Sequence, residues 1–149
     1  MSLADLEKTI QDSIAGASVF TRAIFEGNHW DAEKVQDFSN EDGSMTVATV
    51  GKDGRPHAAI VIAGCSQGTF YFTASPNSAL LGNLRRDPSI AFTISDKVMG
   101  RGLAEPVGRP SDISHLAPQV GRTLRMMIEG DWDVYIYAVK PTRLFAQAT

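Results

Sequence analysis

The chain has 149 residues, 43% of them hydrophobic and 21% charged, with 14 Lys and Arg against 17 Asp and Glu and a net charge of −3. That length suits one domain that buries a core without metal or disulfide, and the acidic balance excludes the basic footprint of a nucleic-acid binder. The single cysteine, Cys65, excludes an intramolecular disulfide and fits a reducing compartment such as the cytoplasm, while no apolar run approaches the roughly 20 residues of a membrane span and "MSLADLEKTIQDSI" is not a signal peptide.

In chain order, residues 1 to about 40 read as helical. Leu3, Leu6, Ile10, Ile14 and Ala17 recur at helical spacing, with Glu7, Lys8, Gln11 and Asp12 between them. The pattern loosens through Phe20, Ala23 and Ile24 and stops at Gly27, Asn28 and His29. Asp31 is placed to cap a second helix, "DAEKVQDFSNE", with Val35 and Phe38 inward. The polar face of this region is not basic, so its apolar stripe suits a core or a second subunit rather than a membrane.

From Met45 the period becomes two. "MTVATV" is a strand, Lys52 to Arg55 holds an Asp-Gly hairpin signal, and "PHAAIVIAG" is the return strand. "CSQG" turns into "TFYFTAS", with Phe70 and Phe72 on one face and Thr69, Tyr71 and Thr73 on the other. After a short helical turn and Pro88, "SIAFTIS" points Ile90, Phe92 and Ile94 one way. "GRGLAEPVG" is a further strand whose glycines admit close approach of backbone or ligand. "PSDISHLAPQVGRTLRMMIEGD" is one helix, with a Ser114 cap, Pro118 in the first turn, Gly130 as the stop, and Leu116, Val120, Leu124, Met127 and Ile128 on one face. "DVYIYAVKPTRLFAQ" is a long last strand, with Tyr135, Tyr137 and Val139 opposite Val134, Ile136 and Ala138. About six short strands with regular turns predict a small antiparallel barrel.

The chemistry the sequence omits is informative. His29, His57 and His115 stand at no metal-ligand spacing. There is no nucleophile elbow, no Walker sequence, and no helix opening after "GRGLAEPVG" to make a dinucleotide loop. An enzyme of this composition takes its chemistry from a cofactor.

A helix, then "MTVATVGKDGRPHAAIVI", "GTFYFTAS", "NLRRDPSIAFTI" and a strand with Gly-x-Ala-Glu resembles the pyridoxamine 5'-phosphate oxidase-related family of FMN-binding split barrels. The resemblance spans about residues 32 to 108, and the combination of "DGRPH" with "NLRRDP" carries it; "VYIYAVKPTRL" adds weaker support. It implies a mainly β fold with flanking helices, a six-stranded antiparallel split β-barrel, formed as one domain over 1–149 with a helical extension at about 1–40. It also implies a homodimer with FMN in a cleft at the subunit interface, and a flavin-dependent oxidoreductase acting on a small molecule. Pyridoxamine phosphate is not the expected substrate, because the chain is short and has no basic substrate-phosphate cluster. Deazaflavin and haem are alternative cofactors. A non-catalytic or stress-related barrel with lost or altered cofactor binding is the second expectation.

In the resemblance, His57, Ala58, Ala59, Ile60 and Val61 lie along the isoalloxazine ring, and Thr73 and Ser75 face the phosphate. The family's S-x-K-x-R-N-L is matched by Ser78, Asn83 and Leu84, but Leu80 stands at the lysine position and Gly82 at the arginine position. A hydrogen bond to a charged group contributes roughly 1.5–3 kcal/mol, so losing both cations would weaken phosphate binding by roughly two to four orders of magnitude. Arg55, Arg85, Arg86 and Arg101 are the substitute cations.

Each candidate has a competing structural role. Arg55 doubles as a solvated hairpin residue, and His57 as a strand-end histidine satisfied by backbone. Ala58 to Val61 double as core strand, and Ser75 with Pro76 as a strand stop. Leu80 and Leu81 suit core packing, Asn83 and Leu84 helix packing, and Arg85 and Arg86 a solvated helix end. Trp30 and Trp132 suit packing anchors, and Arg125 with Glu129 an i,i+4 ion pair. Cys65, read as a turn residue, has no adjacent cation to activate it.

Overall fold

A computed structural model describes residues 1–147. Three helices come first: α1 (Leu3–Ala15), α2 (Val19–Phe25) and α3 (Ala32–Asp42). Ser2 caps α1, accepting from the Asp5 backbone N–H while the Asp5 carboxylate takes the Ser2 N–H in return. Leu6, Ile10 and Ile14 are buried as the spacing predicts. The pattern fails in α2, where Phe20 is 76% exposed and only Phe25 turns inward, against Phe145. Asp31 caps α3 through the Lys34 N–H at 2.9 Å, and the left-handed Gly43 ends it.

The strands are β1 (Ser44–Val50), β2 (Pro56–Ser66), β3 (Thr69–Ala74), β4 (Ser89–Ile94), β5 (Val98–Gly108), β6 (Tyr135–Val139) and β7 (Arg143–Ala146). Between β3 and β4 lies α4 (Ala79–Arg86), and between β5 and β6 come a 3₁₀ segment, Pro110–Leu116, and α5 (Arg122–Glu129). All pairings are antiparallel, and the neighbours run β4-β1-β2-β3-β6-β5, with β5 pairing back to β4. This is a closed six-stranded antiparallel barrel with flanking helices, with β7 added along the first half of β5. Among the described residues no helix is long and apolar enough to cross a membrane.

Three expected boundaries are corrected. The long last strand breaks at Lys140–Thr142, because Pro141 has no N–H for the ladder. Its halves then take different stretches of β5: β6 pairs with Ala104–Gly108 and β7 with Val98–Arg101. The helix expected at 110–130 also breaks, so Ser114 and Pro118 do not open a continuous helix. Gly121 is the N-cap of α5, and the Asn40 Oδ1 of α3 accepts its N–H at 3.1 Å. Cys65 is not in a turn. It is a fully buried residue of β2 whose backbone N–H and C=O both bond the Asn40 amide, at 2.7 and 2.9 Å. The turn proper is Gln67 and Gly68, both left-handed, the two-residue arrangement that matches strand twist.

Two cores result. Phe70, Phe72, Val47, Phe92 and Leu144 fill the barrel, sealed on one side by α1 and α3. Leu124, Ile128, Val134 and Ile136 form a second cluster beneath α5, with Tyr71 and Ile62 against it. The faces of β3 and β6 therefore divide as the alternation predicts, Phe70, Phe72, Tyr137 and Val139 to the barrel and Tyr71 and Ile136 to the second cluster. The close approach at Gly100 and Gly102 is filled by protein: a Cβ there would meet the Phe92 ring at 2.6 Å or the Val139 methyl at 2.9 Å.

Candidate functional site

β2 works in two halves. His57–Ile62 pairs only with β1, while Ala63–Ser66 pairs with β3. The β2–β3 ladder ends at the Ala63–Phe72 pair, and from there β3 runs on to Thr73 and Ala74 beside β6. The predicted ring segment and the predicted phosphate segment thus leave a common point on separate strands. Within the first half of β2 the faces alternate: Ala58 and Ile60 point to solvent, Ile60 with 80% of its surface exposed, while His57, Ala59 and Val61 are half-buried. Among the described residues, His57 Nδ1 is the buried side-chain polar atom with no hydrogen-bond partner. Such an orphan costs roughly 1–3 kcal/mol unless something satisfies it.

After β3 the chain turns at Ser75–Asn77, with Asn77 left-handed. Ser78 caps α4: its Oγ accepts the Leu81 N–H at 3.1 Å and donates to the Ser75 carbonyl at 2.7 Å. The Ser78 hydroxyl is therefore committed first to the helix, and Thr73 is buried. Leu80, at the expected lysine position, is only 4% exposed and belongs to the barrel core with Leu81 and Leu84. Asn83 is also buried, its amide donating to Thr49 Oγ1 of β1 at 3.1 Å, which seats α4 on the end of the barrel.

The cations around α4 were not placeable from sequence. Arg86 folds back along the helix, its Nη2 donating to Asn83 Oδ1 at 2.5 Å. Its Nη1 lies 3.6 Å from where a Cβ of Gly82 would stand. A guanidinium therefore occupies the neighbourhood of the missing arginine, supplied from one turn further on. Arg85 and Arg109 each stand over the Tyr135 ring, at 5.3 and 4.8 Å, and Arg109 also bonds Asp133. Tyr135 is paired with Ala74, so these two arginines flank the end of β3. Arg55 is exposed on the hairpin beside Asp53.

None of the predicted ring residues, and none of Thr73, Ser75 and Ser78, lines the cavity on the outward face of the barrel. That cavity, of about 500 Å³, lies on the outward face of β1, β4, β5 and β7, between Ala48, Ala91, Met99, Arg101, Arg143 and Phe145. Sequence reading singled out Arg101 but missed Arg143. The signal available was the small outward residue repeated on successive strands, Ala48, Ala58 and Ala91.

Of the remaining candidates, Trp132 is more than half exposed and anchors neither core, while the others are structural. Trp30 packs on Phe38 at 4.9 Å, and Arg125 bonds Glu129 at 2.8 Å. Cys65 is fully buried, and that burial pushes its thiol up, well past the ordinary thiol range. Among the described residues no cluster of His, Cys, Asp and Glu could hold a metal.

The family model for pyridoxamine 5'-phosphate oxidase matches residues 32–143. No curated protein matches the chain in sequence. Among solved structures it is similar to HutZ, the haem storage protein of Vibrio cholerae, at 19% identity over 77% of this chain and 93% of that one, TM-score 0.60. An F420 reductase is similar at 21% identity over 73% and 94%, TM-score 0.56. The FAD-binding protein of Mycobacterium smegmatis is similar at 14% identity over 80% and 95%, TM-score 0.55. At these identities the likeness is one of fold.

Proposed function

Because the chain belongs to the pyridoxamine 5'-phosphate oxidase family, we propose that it binds a flavin nucleotide, FMN, and acts as a flavin-dependent oxidoreductase on a small molecule. The observation that carries this reading is His57. Its unpartnered Nδ1 sits on the strand that the family resemblance lays along the ring, where a ligand would satisfy it. Ala58 and Ile60 offer the ring a small and a large apolar contact on the same strand. Ser75, the N-terminal turn of α4 behind Ser78, and Arg86 over Gly82 would hold the phosphate. FMN supplies two-electron transfer; the protein's part is to bind the ring, orient it and exclude water.

The reading includes a homodimer. Ile60, Met99 and Leu103 are large, exposed and outward-facing on the barrel, and a second copy across that face would complete the cleft. Sedimentation at micromolar concentration should give a dimer; a monomer counts against the cleft.

A second reading, a non-catalytic barrel holding haem or a deazaflavin, is favoured by one observation: position 80 is core and position 82 has no side chain. Colour separates the two. Protein purified from cells should be yellow and release FMN on denaturation, and Arg86→Gln should lower FMN affinity at least tenfold, the loss expected for one charged hydrogen bond. Colourless protein that leaves FMN fluorescence unquenched at high micromolar concentration would end the flavin reading.

A further inference from the structure

A run of hydrogen bonds leads from α4 toward the strand that carries His57, and its direction is fixed. Arg86 Nη2 bonds Asn83 Oδ1 at 2.5 Å. A guanidinium only donates, so the Asn83 amide oxygen faces Arg86 and the amide nitrogen faces away. That nitrogen donates to Thr49 Oγ1 at 3.1 Å. The Thr49 oxygen is therefore an acceptor, and its own hydrogen still needs a partner. Among the described residues it has none, although both Thr49 and Asn83 are buried.

Thr49 and His57 are directly opposite on β1 and β2. Met45, Val47 and Thr49 form the buried face of β1, so the His57 side chain stands on that same face. Two unsatisfied groups thus share one cross-strand pair: a buried hydroxyl hydrogen and the enclosed His57 Nδ1. Opposed Cβ atoms lie about 4.5–5.5 Å apart, close enough for a small turn of the imidazole to bring the groups together. One bond from the Thr49 hydroxyl to Nδ1 satisfies both. The reverse bond, from an Nδ1–H to the Thr49 oxygen, leaves the hydroxyl hydrogen buried and unpaired, which is costly. Thr49 therefore selects the tautomer with the hydrogen on Nε2. Unlike Nδ1, Nε2 is not enclosed.

We propose that Thr49 is a positioning residue: held by Arg86 through Asn83, it makes His57 Nδ1 an acceptor and presents Nε2–H as a donor to the ligand. Every bond then points one way, from the guanidinium to Nε2, so each strengthens the next, and an acceptor that carries negative charge gains most. The proposal rests on the flavin reading for the identity of the ligand, and it refines how the ligand satisfies Nδ1. By accepting at Nε2, the ligand holds the tautomer that Thr49 completes. Arg86 then serves both ends of the cofactor, since its Nη1 stands by Gly82 while its Nη2 heads the run of bonds.

The experiment observes the ring itself. The full chain, with nitrogen-labelled histidine and no flavin, is examined by NMR at about pH 8.5, roughly two units above the ordinary imidazole value. His57 Nδ1 should show the shift of an unprotonated, hydrogen-bonded nitrogen. Thr49→Val should move it to that of an unbonded nitrogen or of mixed tautomers, and Thr49→Ser should restore it. Arg86→Gln, whose amide also accepts and so no longer orients Asn83, should mix the tautomers while leaving β1 undisturbed. FMN affinity should fall about threefold or more in Thr49→Val and stay within about twofold in Thr49→Ser. A protonated Nδ1 in the unsubstituted chain, or a shift that ignores Thr49→Val, would overturn the proposal. So would FMN binding equally well to the Val variant. Shifts that follow Thr49 in a chain that binds no FMN would uphold the positioning role and end the flavin reading.

Discussion

Leu80 and Gly82 are two residues apart on α4, about 200° around it, and a cation would fare differently at each. Leu80→Lys would pull a core leucine out of the barrel and is expected to cost about 2–5 kcal/mol, the range for emptying a buried leucine. Gly82→Arg has room, meeting only Arg86 Nη1. It should gain about 0.5 kcal/mol, the helix preference less the repulsion between neighbouring arginines, and should tighten FMN about tenfold if the phosphate lies there. Urea unfolding reads the first effect and flavin quenching the second; a stabilised variant with unchanged FMN affinity would place the phosphate elsewhere. The departures at 80 and 82 were legible in the sequence. The return of Arg86 over Gly82 was not, because it depends on a helical side chain leaning toward the N-terminus and on the Asn83 amide that catches it. Cys65 gives a second residue-scale prediction. Desolvation raises its thiol well above the ordinary thiol range, against a smaller opposing bond from the Gly68 backbone; Tyr71 is raised too, by desolvation and then by Cys65. Above about pH 9 the unfolded chain releases protons the folded chain keeps, so stability must fall as pH rises. Denaturation midpoints at about pH 8 and pH 10 should show this, and thiol reagents should label Cys65 only after unfolding.

At the scale of elements, the strands were readable because each keeps its period of two where it lines the barrel. Ile90, Phe92 and Ile94 are buried as expected, and so are Val47 and Met45 on β1. Two of the three corrected boundaries, those of the long helix and the last strand, have one kind of cause. Apolar periodicity runs unbroken through 116–128 and through 134–146, and tertiary partners decide where the chain bends. At 121 the partner is Asn40, whose side-chain amide ties α3 to β2 and to the start of α5 at once. A Cβ on Gly121 would stand 2.0 Å from the Asn40 carbonyl oxygen, so close an approach that neither backbone can keep its place. Gly121→Ala is expected to destabilise by about 1–3 kcal/mol, the usual range for overpacking, and to loosen α5 first. Hydrogen exchange should lose protection at Leu124 and Ile128 before it loses protection at Phe70 and Phe72. Uniform loss would mean that α5 and the barrel open as one unit.

The whole molecule is held by contacts remote in sequence. The Leu144 N–H donates to Ser13 Oγ at 3.0 Å, and the Trp30 N–H to the Ala146 carbonyl at 3.0 Å. A bridge pairs His29 with Gln147, and Phe25 packs on Phe145 at 5.0 Å. Removing residues 143–147 should therefore leave α1 and α2 open to protease while most of the barrel ladder persists; equal resistance of the shortened and full chains would show that α1 docks without β7. The same placement has a consequence during synthesis. Leu3–Ala15 is translated before any of its barrel partners, and Arg143–Ala146, against which it lies, is translated after every other strand. The apolar face of α1, with Leu6, Ile10 and Ile14, has no finished surface to cover it until β7 has been made. A helix made before the strands it packs on must settle after them, and a ribosome stalled anywhere before β7 would hold out that face to chaperones.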